Sequence, residues 1–292
     1  MAELAAVVTT VQILLPDAAY SDNDPNIPPL VDRSLAQITR ALKPHGLALI
    51  PVPLTEAKPV APTLALLAWG YHLKPERWRK FLQAWPAEVP LLNSPALLEW
   101  NTDKHYLAEL ERAGVPIVPT HFVPLADDNA LEAARTAFAS ETLIVKPRIS
   151  AGAYRTAKVK PGNSAPNLAD AMIQPFLPSV PEEGELSLIY FDGTLSHALR
   201  KRAADGDFRV QEEFGATNCP YAPDAEALAV AGAALAAAPQ RPAYARADLV
   251  RLTDGRLALM ELELIDPELF LDFCTDSGAL PAAVRGALGR GR

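Results

Sequence analysis

The first hundred residues alternate between two patterns of apolar and polar positions, one with the period of a strand and one with the period of a helix. Buried strands are predicted at residues 5–15, 47–52 and 64–69. Between them, residues 30–42 carry apolar side chains at helical spacing, and residues 75–85 form a second predicted helix with proline in its first turn. Strands that alternate with helices are typical of a parallel sheet. We therefore predict an α/β lobe over residues 1–92.

From residue 93 onward the pattern predicts a short α/β segment and then a body rich in strands. Asn101 and Thr102 are positioned to cap a helix over residues 103–113, which Gly114 and Pro116 would end. Further strands are predicted at 121–124, 142–147, 171–177, 185–191 and 194–202, with helices at 129–139 and 224–238. The fold class is therefore mixed α/β and α+β. We place one subdomain at 93–172 and another at 173–292.

The most specific signal is a predicted hairpin near the C-terminus. Its strands are predicted at 243–252 and 256–265. Asp254-Gly255 between them is a strong two-residue turn signal. With those two residues as the loop, Asp248 lies opposite Glu261 and Arg246 lies opposite Glu263. Because side chains alternate along a strand, all four then share one face of the hairpin.

Three carboxylates on one face of a hairpin are unfavourable without a partner. Like charges that face each other destabilise a sheet, and carboxylates in an apolar strand resist burial unless they are paired or bound to a metal. Arg246 can neutralise only one of them. Ligands that are all oxygen favour magnesium over zinc, so we predict a magnesium site at Asp248, Glu261 and Glu263. The alternative is a hairpin whose carboxylates point to water, and the apolar residues on both faces of 257–265 argue against it.

Two lysines lie where an anion would stabilise them. Lys104 falls in the first turn of its predicted helix, where the helix dipole disfavours a cation. Lys146 ends an apolar strand, immediately before Pro147. Each alone is more often a surface lysine, but beside the carboxylate hairpin they indicate a nucleotide whose phosphates need both lysines and a metal. Ser150 and Gly152 follow in a segment that could cover phosphates with backbone N–H groups; the alternative is an ordinary connection between strands.

Composition and charge narrow the classes of partner. The chain has 292 residues, 49% hydrophobic and 21% charged, with a formal net charge of −8. The only dense basic cluster is Arg200-Lys201-Arg202, so a nucleic-acid partner is not expected. The two cysteines, Cys219 and Cys274, follow no metal-ligand spacing. No Lys or Arg precedes Arg33, and no apolar stretch is long enough to cross a bilayer, so we expect a cytoplasmic protein without a membrane partner.

The order of these segments resembles the ATP-grasp superfamily. The matching motifs are Asn101-Thr102-Asp103-Lys104, Ile144-Val145-Lys146-Pro147, Ile173-Gln174-Pro175-Phe176-Leu177, Glu185, Arg246-Ala247-Asp248-Leu249-Val250 and Glu261-Leu262-Glu263. Within the superfamily the chain is similar to the glutathione synthetase-like and RimK-like group. The segments 184–187, 197–201, 208–211 and 261–267 are similar to the O-ureido-D-serine cyclo-ligases of D-cycloserine synthesis and their uncharacterised relatives.

This resemblance implies a ligase that depends on ATP and Mg2+. The residues implied to bind the nucleotide are Lys104, Lys146, Ser150, Gly152, Gln174, Phe176, Leu177 and Glu185, and those implied to bind the metal are Asp248, Glu261 and Glu263. Two magnesium ions are expected, with Mn2+ as a substitute. A small-molecule carboxylate would attack the γ-phosphorus, and an amine would then displace phosphate from the acyl phosphate, leaving ADP and a C–N bond. Arg200 and Arg209 are the candidates for holding the carboxylate and the oxyanion; the alternative is an ion pair with Glu212 or Glu213.

Three positions depart from the pattern of this family. Glu263 stands where ATP-grasp enzymes commonly have asparagine, and the phosphate loop has a single glycine. The segment Leu67-Ala68-Trp69-Gly70-Tyr71 lacks the Arg and the acid that the cyclo-ligase group carries near its Trp and Tyr. Two alternatives therefore stay open, an ATP-grasp kinase with a hydroxyl acceptor and a non-catalytic nucleotide-binding protein. The sequence leaves open the carboxylate, the amine and whether the chain forms a homo-oligomer.

Overall fold

The structure, a computed structural model, describes residues 8–16 and 27–290 except the side chains of Glu213 and Arg290, and the strands of this part of the chain form three sheets. The first sheet is parallel, with strand order β2-β1-β3-β4. Its elements are β1 (Thr9–Leu15), α1 (Ile27–Leu42), β2 (Leu47–Pro53), β3 (Thr63–Leu64), α2 (Pro75–Ala84) and β4 (Leu91–Leu92). The predicted parallel α/β lobe is thus confirmed, although residues 5–7 of the first predicted strand lie outside the described residues.

The predicted strand at 64–69 is wrong beyond its first residue. Only Thr63–Leu64 pairs in the sheet, and the chain then turns, with the amide of Ala68 donating to the carbonyl of Ala65 at 2.8 Å. Residues 65–68 are nevertheless buried. Their apolar character reflects burial in a turn that packs against other elements, which a short apolar run does not distinguish from a strand.

The predicted helix at 103–113 begins three residues later than predicted, and a helix that was not predicted precedes it, with a turn between the two. These are α3 (Pro95–Thr102) and α4 (Tyr106–Arg112). Ser94 caps α3 by accepting from the amide of Leu97, so Asn101 and Thr102 end a helix instead of capping one. Lys104 lies in the turn and not in a first helical turn.

The second sheet is antiparallel, with strand order β5-β8-β6-β7. Its elements are β5 (His121–Ala126), α5 (Asp128–Phe138), β6 (Leu143–Pro147), β7 (Ala157–Val159) and β8 (Leu168–Pro175). A small core holds α5 against this sheet, with Leu131, Val145 and Ile173 at its centre. Strand β8 runs across the boundary that we predicted between residues 172 and 173.

The third sheet is antiparallel and has the order β11-β10-β9-β12-β13. Its elements are α6 (Ser179–Glu183), β9 (Glu185–Phe191), β10 (Thr194–Arg202), β11 (Thr217–Pro220), α7 (Ala225–Ala237), β12 (Tyr244–Arg251), β13 (Leu257–Glu263) and α8 (Ala279–Arg290). One face packs on α7, α3 and α4. Part of the other face packs on the first sheet together with α8. In the described part of the chain, no helix has the length and apolar character that crossing a membrane requires.

The hairpin β12–β13 reaches the predicted pairing by a different route. Its loop has three residues, because the amide of Leu252 donates to the carbonyl of Arg256 and closes the turn around 253–255. This shifts the pairing by one position near the turn. A β-bulge at Met260 shifts it back, so Asp248 pairs with Glu261 as predicted.

Candidate active site

A cavity of about 290 Å3 lies where the three sheets meet. Helix α1 and the turn after β3 line one side of it, and strands β6 and β8 line a second side. Strands β9, β10, β12 and β13 of the third sheet supply six of its charged residues. Every residue that we predicted to bind nucleotide or metal lines this cavity.

A continuous row of alternating charges crosses the floor of the cavity. Lys201 on β10 lies between Glu185 and Asp248, with its Nζ 2.6 Å from Glu185 Oε1 and 3.2 Å from Asp248 Oδ1. Arg246 Nε donates to both oxygens of Asp248 at 3.0 Å, and its guanidinium also pairs with Glu263. Side chains at alternate positions of neighbouring strands produce this row, since Lys201 pairs with Glu185 and Arg246 with Glu263 in the sheet.

Asp248 is the most buried member of this row, at 2% exposure. Burial opposes its ionisation, but the charges of Arg246 and Lys201 outweigh burial and lower the pKa of Asp248 to about 2. Ser187 also donates a hydrogen bond to it. The carboxylate is therefore ionised and held in place by three side chains.

Lys104 contacts Glu261, which lies on β13 opposite Asp248 of the row. Its Nζ lies 3.0 Å from Glu261 Oε1 and also donates to the carbonyl of Ser150 in the predicted phosphate loop. The turn that carries Lys104 is tied to this loop, because Arg148 forms two hydrogen bonds with Asp103 and its carbonyl accepts from the amide of Lys104. Such a bidentate pair fixes orientation as well as distance.

Helices α3 and α4 are held against strand β13 by side chains that pair with its outer edge. The Asn101 amide donates to the carbonyl of Leu262 at 2.7 Å and accepts from the amide of Leu264 at 2.9 Å. The Tyr106 hydroxyl donates to the Leu262 carbonyl and accepts from its amide, both at 2.9 Å. An edge strand leaves such groups without partners, and here side chains satisfy them. The same contacts place Lys104 beside Glu261.

Lys146 lines the cavity from the second sheet, near Glu261 and Lys104. Burial lowers the pKa of Lys146, and the charge of Glu261 opposes this effect. Its Nζ lies 3.5 Å from Met260 Sδ. The bulge on β13 explains why Met260 and its neighbour Glu261 both line the cavity. Lys104 from the turn between α3 and α4 and Lys146 from the second sheet thus both approach Glu261.

Glu263 and Asp266 lie close to each other at the C-terminal end of β13. Burial, with the neighbouring charges of Asp266 and Glu261, raises the pKa of Glu263 well above its ordinary value, although Arg246 opposes the rise. Burial raises the pKa of Asp266 to about 6. A cation that entered here would relieve the repulsion between these carboxylates. Among the described residues, however, no group of three His, Cys, Asp or Glu forms a metal site by itself.

The opposite end of the cavity contains the predicted adenine and ribose contacts. The Gln174 amide donates to Thr120 Oγ1 at 2.9 Å, while its buried oxygen has no hydrogen-bond partner among the described residues. The amide of Phe176 donates to the carbonyl of Thr142, which fixes the segment through Leu177 beside the cavity. Glu185, the predicted ribose acid, is paired with Lys201.

The structure separates the two arginines that we predicted to be catalytic. Arg209 lines the cavity, with its guanidinium paired to Asp207 and 3.6 Å from the centre of the Phe214 ring. Arg200 points to the other face of the sheet, where it donates to the carbonyl of Glu183 and lies over the ring of Tyr221. The structure therefore does not bring Arg200 into the site.

The alternative prediction was an ion pair of these arginines with Glu212 or Glu213. Glu212 pairs with Arg33 at 2.7 Å. The side chain of Glu213 lies outside the described residues.

Several charged residues of the cavity were not predicted from the sequence. Lys201 is the clearest, since it belongs to the basic cluster but lies one position from the residue we chose. Strand alternation assigns one face to Arg200 and the other to Lys201, but the pairing with β9 decides which face lines the cavity. The signal for Asp266 was weak, because this residue lies three positions after Glu263, the last residue of the acidic motif.

One curated relative is similar over most of the chain. The cycloserine biosynthesis protein DcsG of Streptomyces lavendulae is 34% identical over 242 residues, which cover 73% of this chain and 77% of that protein. No family model matches the chain.

Solved structures share the fold over nearly all of the chain. The crystal structure of D-cycloserine synthetase DcsG has a TM-score of 0.77 at 26% identity and covers 97% of this chain and 100% of its own. D-alanyl-alanine synthetase A of Vibrio cholerae O1 has a TM-score of 0.70 at 16% identity, over 98% and 100% of the two chains. The ATP-grasp ligase PsnB has a TM-score of 0.63 at 16% identity, again over 98% and 100%. The ATP-grasp fold predicted from the motif order is thus confirmed. By the extent and identity of the match to DcsG, this chain belongs to the DcsG family of ATP-grasp enzymes and is an ATP-dependent ligase that forms C–N bonds.

Proposed function

We propose that this chain activates the carboxylate of a small amino-acid-like substrate as an acyl phosphate and joins it to an amine. The observation that carries the proposal is the meeting of Lys104, Lys146 and Glu261 in one cavity, although they come from three different parts of the chain. A buried lysine and a half-buried lysine can bind phosphates, and the carboxylates beside them can bind a metal at the same place. If the lysines only neutralised Glu261, one of them would be enough, whereas two lysines lie near it.

Different residues of the chain would contact the phosphates, the adenine and the ribose of the nucleotide. Lys104 and Lys146 would pair with the phosphates, and the backbone of Ser150 and Gly152 would lie over them. The partnerless oxygen of Gln174 and the segment Phe176–Leu177 would contact the adenine, and Glu185 would accept from the ribose. Displacement of Lys104 from Glu261 is part of this proposal, because the lysine cannot serve both partners fully.

Glu261 and Glu263 are the residues that would hold Mg2+. Their carboxylates face the cavity, while both oxygens of Asp248 already accept hydrogen bonds. Magnesium is usually held by one or two carboxylates together with substrate phosphates, which explains why no complete protein site is needed. When bound, the metal supplies neutralisation of phosphate charge during transfer. That Asp248 contacts the metal, that two ions bind, and that Mn2+ substitutes stay predictions; PsnB was solved with Mg and ADP.

Arg209 and Arg246 are our candidates for binding the substrate carboxylate and the oxyanion that forms when the amine attacks. Both line the cavity, and a guanidinium matches either group with paired hydrogen bonds. Burial opposes the charge of Arg246, but the acids around it outweigh burial and raise its pKa well above the ordinary value. It therefore stays charged at any working pH.

The amine can belong to the activated molecule or to a second one. An amine in the same molecule yields a ring, as the name D-cycloserine synthetase indicates for DcsG. The 34% identity to that protein favours cyclisation here. A cytoplasmic location and a homo-oligomer stay predictions.

The test is a measurement of nucleotide products with a panel of carboxylates. The purified chain is mixed with MgATP and with O-ureido-D-serine, single amino acids or dipeptides. We expect ADP and phosphate to appear only with the correct carboxylate, and hydroxylamine to trap a hydroxamate. Release of AMP instead of ADP would overturn the proposal, and ADP without any hydroxamate would favour the kinase. Lys146→Met is the matched negative control, because it removes a proposed phosphate contact and leaves every carboxylate of the cavity in the chain.

A further inference from the structure

A tryptophan of the N-terminal lobe packs directly on the predicted phosphate loop, which is the connection between β6 and β7. A Cβ atom built on Gly152 would lie 2.4 Å from Cη2 of Trp69 and 3.2 Å from its Cζ3. A separation under 3 Å is a steric clash, so only glycine fits at this position while the ring stays in place. Trp69 itself is half-buried and lines the cavity.

A second contact joins the same two segments. The ring of His72 lies 5.2 Å from the ring of Trp69 and 5.3 Å from that of Tyr154, edge to face in both pairs. Tyr154 belongs to the phosphate loop, two residues after Gly152. Edge-to-face pairs at this distance are attractive beyond the area that they bury. The segment Trp69–His72, which we call the latch, therefore contacts the loop at two points.

The loop needs support from outside its own sequence. Gly152, Ala153 and Arg155 all have φ between +51° and +57°, and residues other than glycine rarely adopt this left-handed region. Within the loop, the amide of Tyr154 donates to the carbonyl of Ala151, and the amide of Thr156 donates to that of Ala153. Backbone in sparsely populated regions persists where the surrounding structure holds it. The latch contacts this loop from the N-terminal lobe.

We propose that the latch is a positioning device that holds the phosphate loop closed over the phosphate end of the cavity and so keeps water from the acyl phosphate. This inference rests on the proposed function. In the unwanted reaction, water attacks the carbonyl carbon and the bond from that carbon to the phosphate oxygen breaks. Phosphate leaves with the electron pair, the carboxylate is regenerated with loss of a proton, and the net result is hydrolysis of ATP to ADP and phosphate.

The first experiment needs no substrate. Trypsin cleaves after Arg155, which is exposed in the loop, and the fragments 1–155 and 156–292 report that cut. We expect Trp69→Ala to be cut there roughly tenfold faster than wild type, because an aromatic contact of this kind is lost. Trp100→Ala is the matched control, since Trp100 is also half-buried and packs on Tyr106 away from the cavity. Equal cleavage rates in wild type and Trp69→Ala would overturn the proposal.

A double variant separates this contact from a general role of Trp69 in folding. Gly152→Ala alone should open the loop and speed cleavage, because the added methyl group collides with the ring. In the Trp69→Ala background the same change should speed cleavage by a smaller factor than in wild type, since the collision is gone and only the strain of alanine at a φ of +54° is left. Full additivity of the two effects would show that the ring and the glycine act separately, against the latch.

The second readout is the coupling of ATP use to product. With O-ureido-D-serine as the probe, wild type should release one ADP for each ring formed, and Trp69→Ala should release several. Trp69→Phe, which keeps an aromatic ring, should lie between them. If wild type does not turn over any carboxylate, the proposed function fails while the trypsin result still tests the latch. A fully coupled Trp69→Ala would overturn the role in excluding water.

Discussion

Asp266 is the site residue whose ionisation we expect to lower the free energy of unfolding by a measurable amount. Its side chain lines the cavity beside Glu263, and its Oδ1 is buried without a hydrogen-bond partner among the described residues. Burial raises its pKa from an ordinary 3.8 to about 6. At 1.36 kcal/mol for each unit of pKa, an ionised Asp266 at pH 7 costs the folded state about 3 kcal/mol.

The direction of the pH dependence follows from the raised pKa. A carboxyl group that binds its proton more tightly when folded contributes stability below pH 3.8, and this contribution is lost as pH rises through 6. Asp266→Asn cannot titrate, so it should match wild type near pH 4 and exceed it by about 3 kcal/mol at pH 7. The substitution also removes a charge that raises the pKa of Glu263, which acts in the same direction.

Urea unfolding between pH 4 and pH 7, without Mg2+ or nucleotide, measures this difference. Far-UV circular dichroism and tryptophan fluorescence both report the transition, and their agreement tests two-state behaviour. Asp205→Asn removes the same charge at an exposed position and should show no such trend. A gap between wild type and Asp266→Asn that does not change with pH would refute the reasoning. So would a variant that is less stable than wild type at pH 7.

Three further outcomes are expected. Glu261→Gln should reduce ADP release by orders of magnitude while its thermal unfolding temperature stays close to that of wild type, and near-normal turnover would remove it from the site. Lys201→Met should lower the free energy of unfolding in urea by about 3–5 kcal/mol, because two buried acids lose their partner. Arg200→Ala, at the neighbouring position on the opposite face, should change it by no more than about 1 kcal/mol and keep its activity. Equal effects of the two variants would contradict the assigned faces. Tyr106→Phe should lose about 1–3 kcal/mol, since the buried amide of Leu262 would be left without its acceptor. An unchanged unfolding midpoint would show that this amide finds another acceptor.

The sequence by itself determined most of the elements and the chemistry of the hairpin. Strands Glu185–Phe191 and Thr194–Arg202 were predicted at their observed bounds, because alternation of side chains and the turn between them are local signals. The pairing of Asp248 with Glu261 was also correct. It was correct because the register shift from a longer loop and the opposite shift from a β-bulge cancel, although the sequence pattern shows neither feature.

The tertiary structure decided which residues meet. Asn101 has the sequence signature of a helix cap, yet it pairs with the edge of a strand more than 150 positions away. Trp69 was part of a run with the pattern of a buried strand, yet it lies on the phosphate loop. The choice between Arg200 and Lys201 depended on how two strands pair. Local pattern fixes the side to which a residue points relative to its neighbours, but only the packing of distant segments decides what lies on that side.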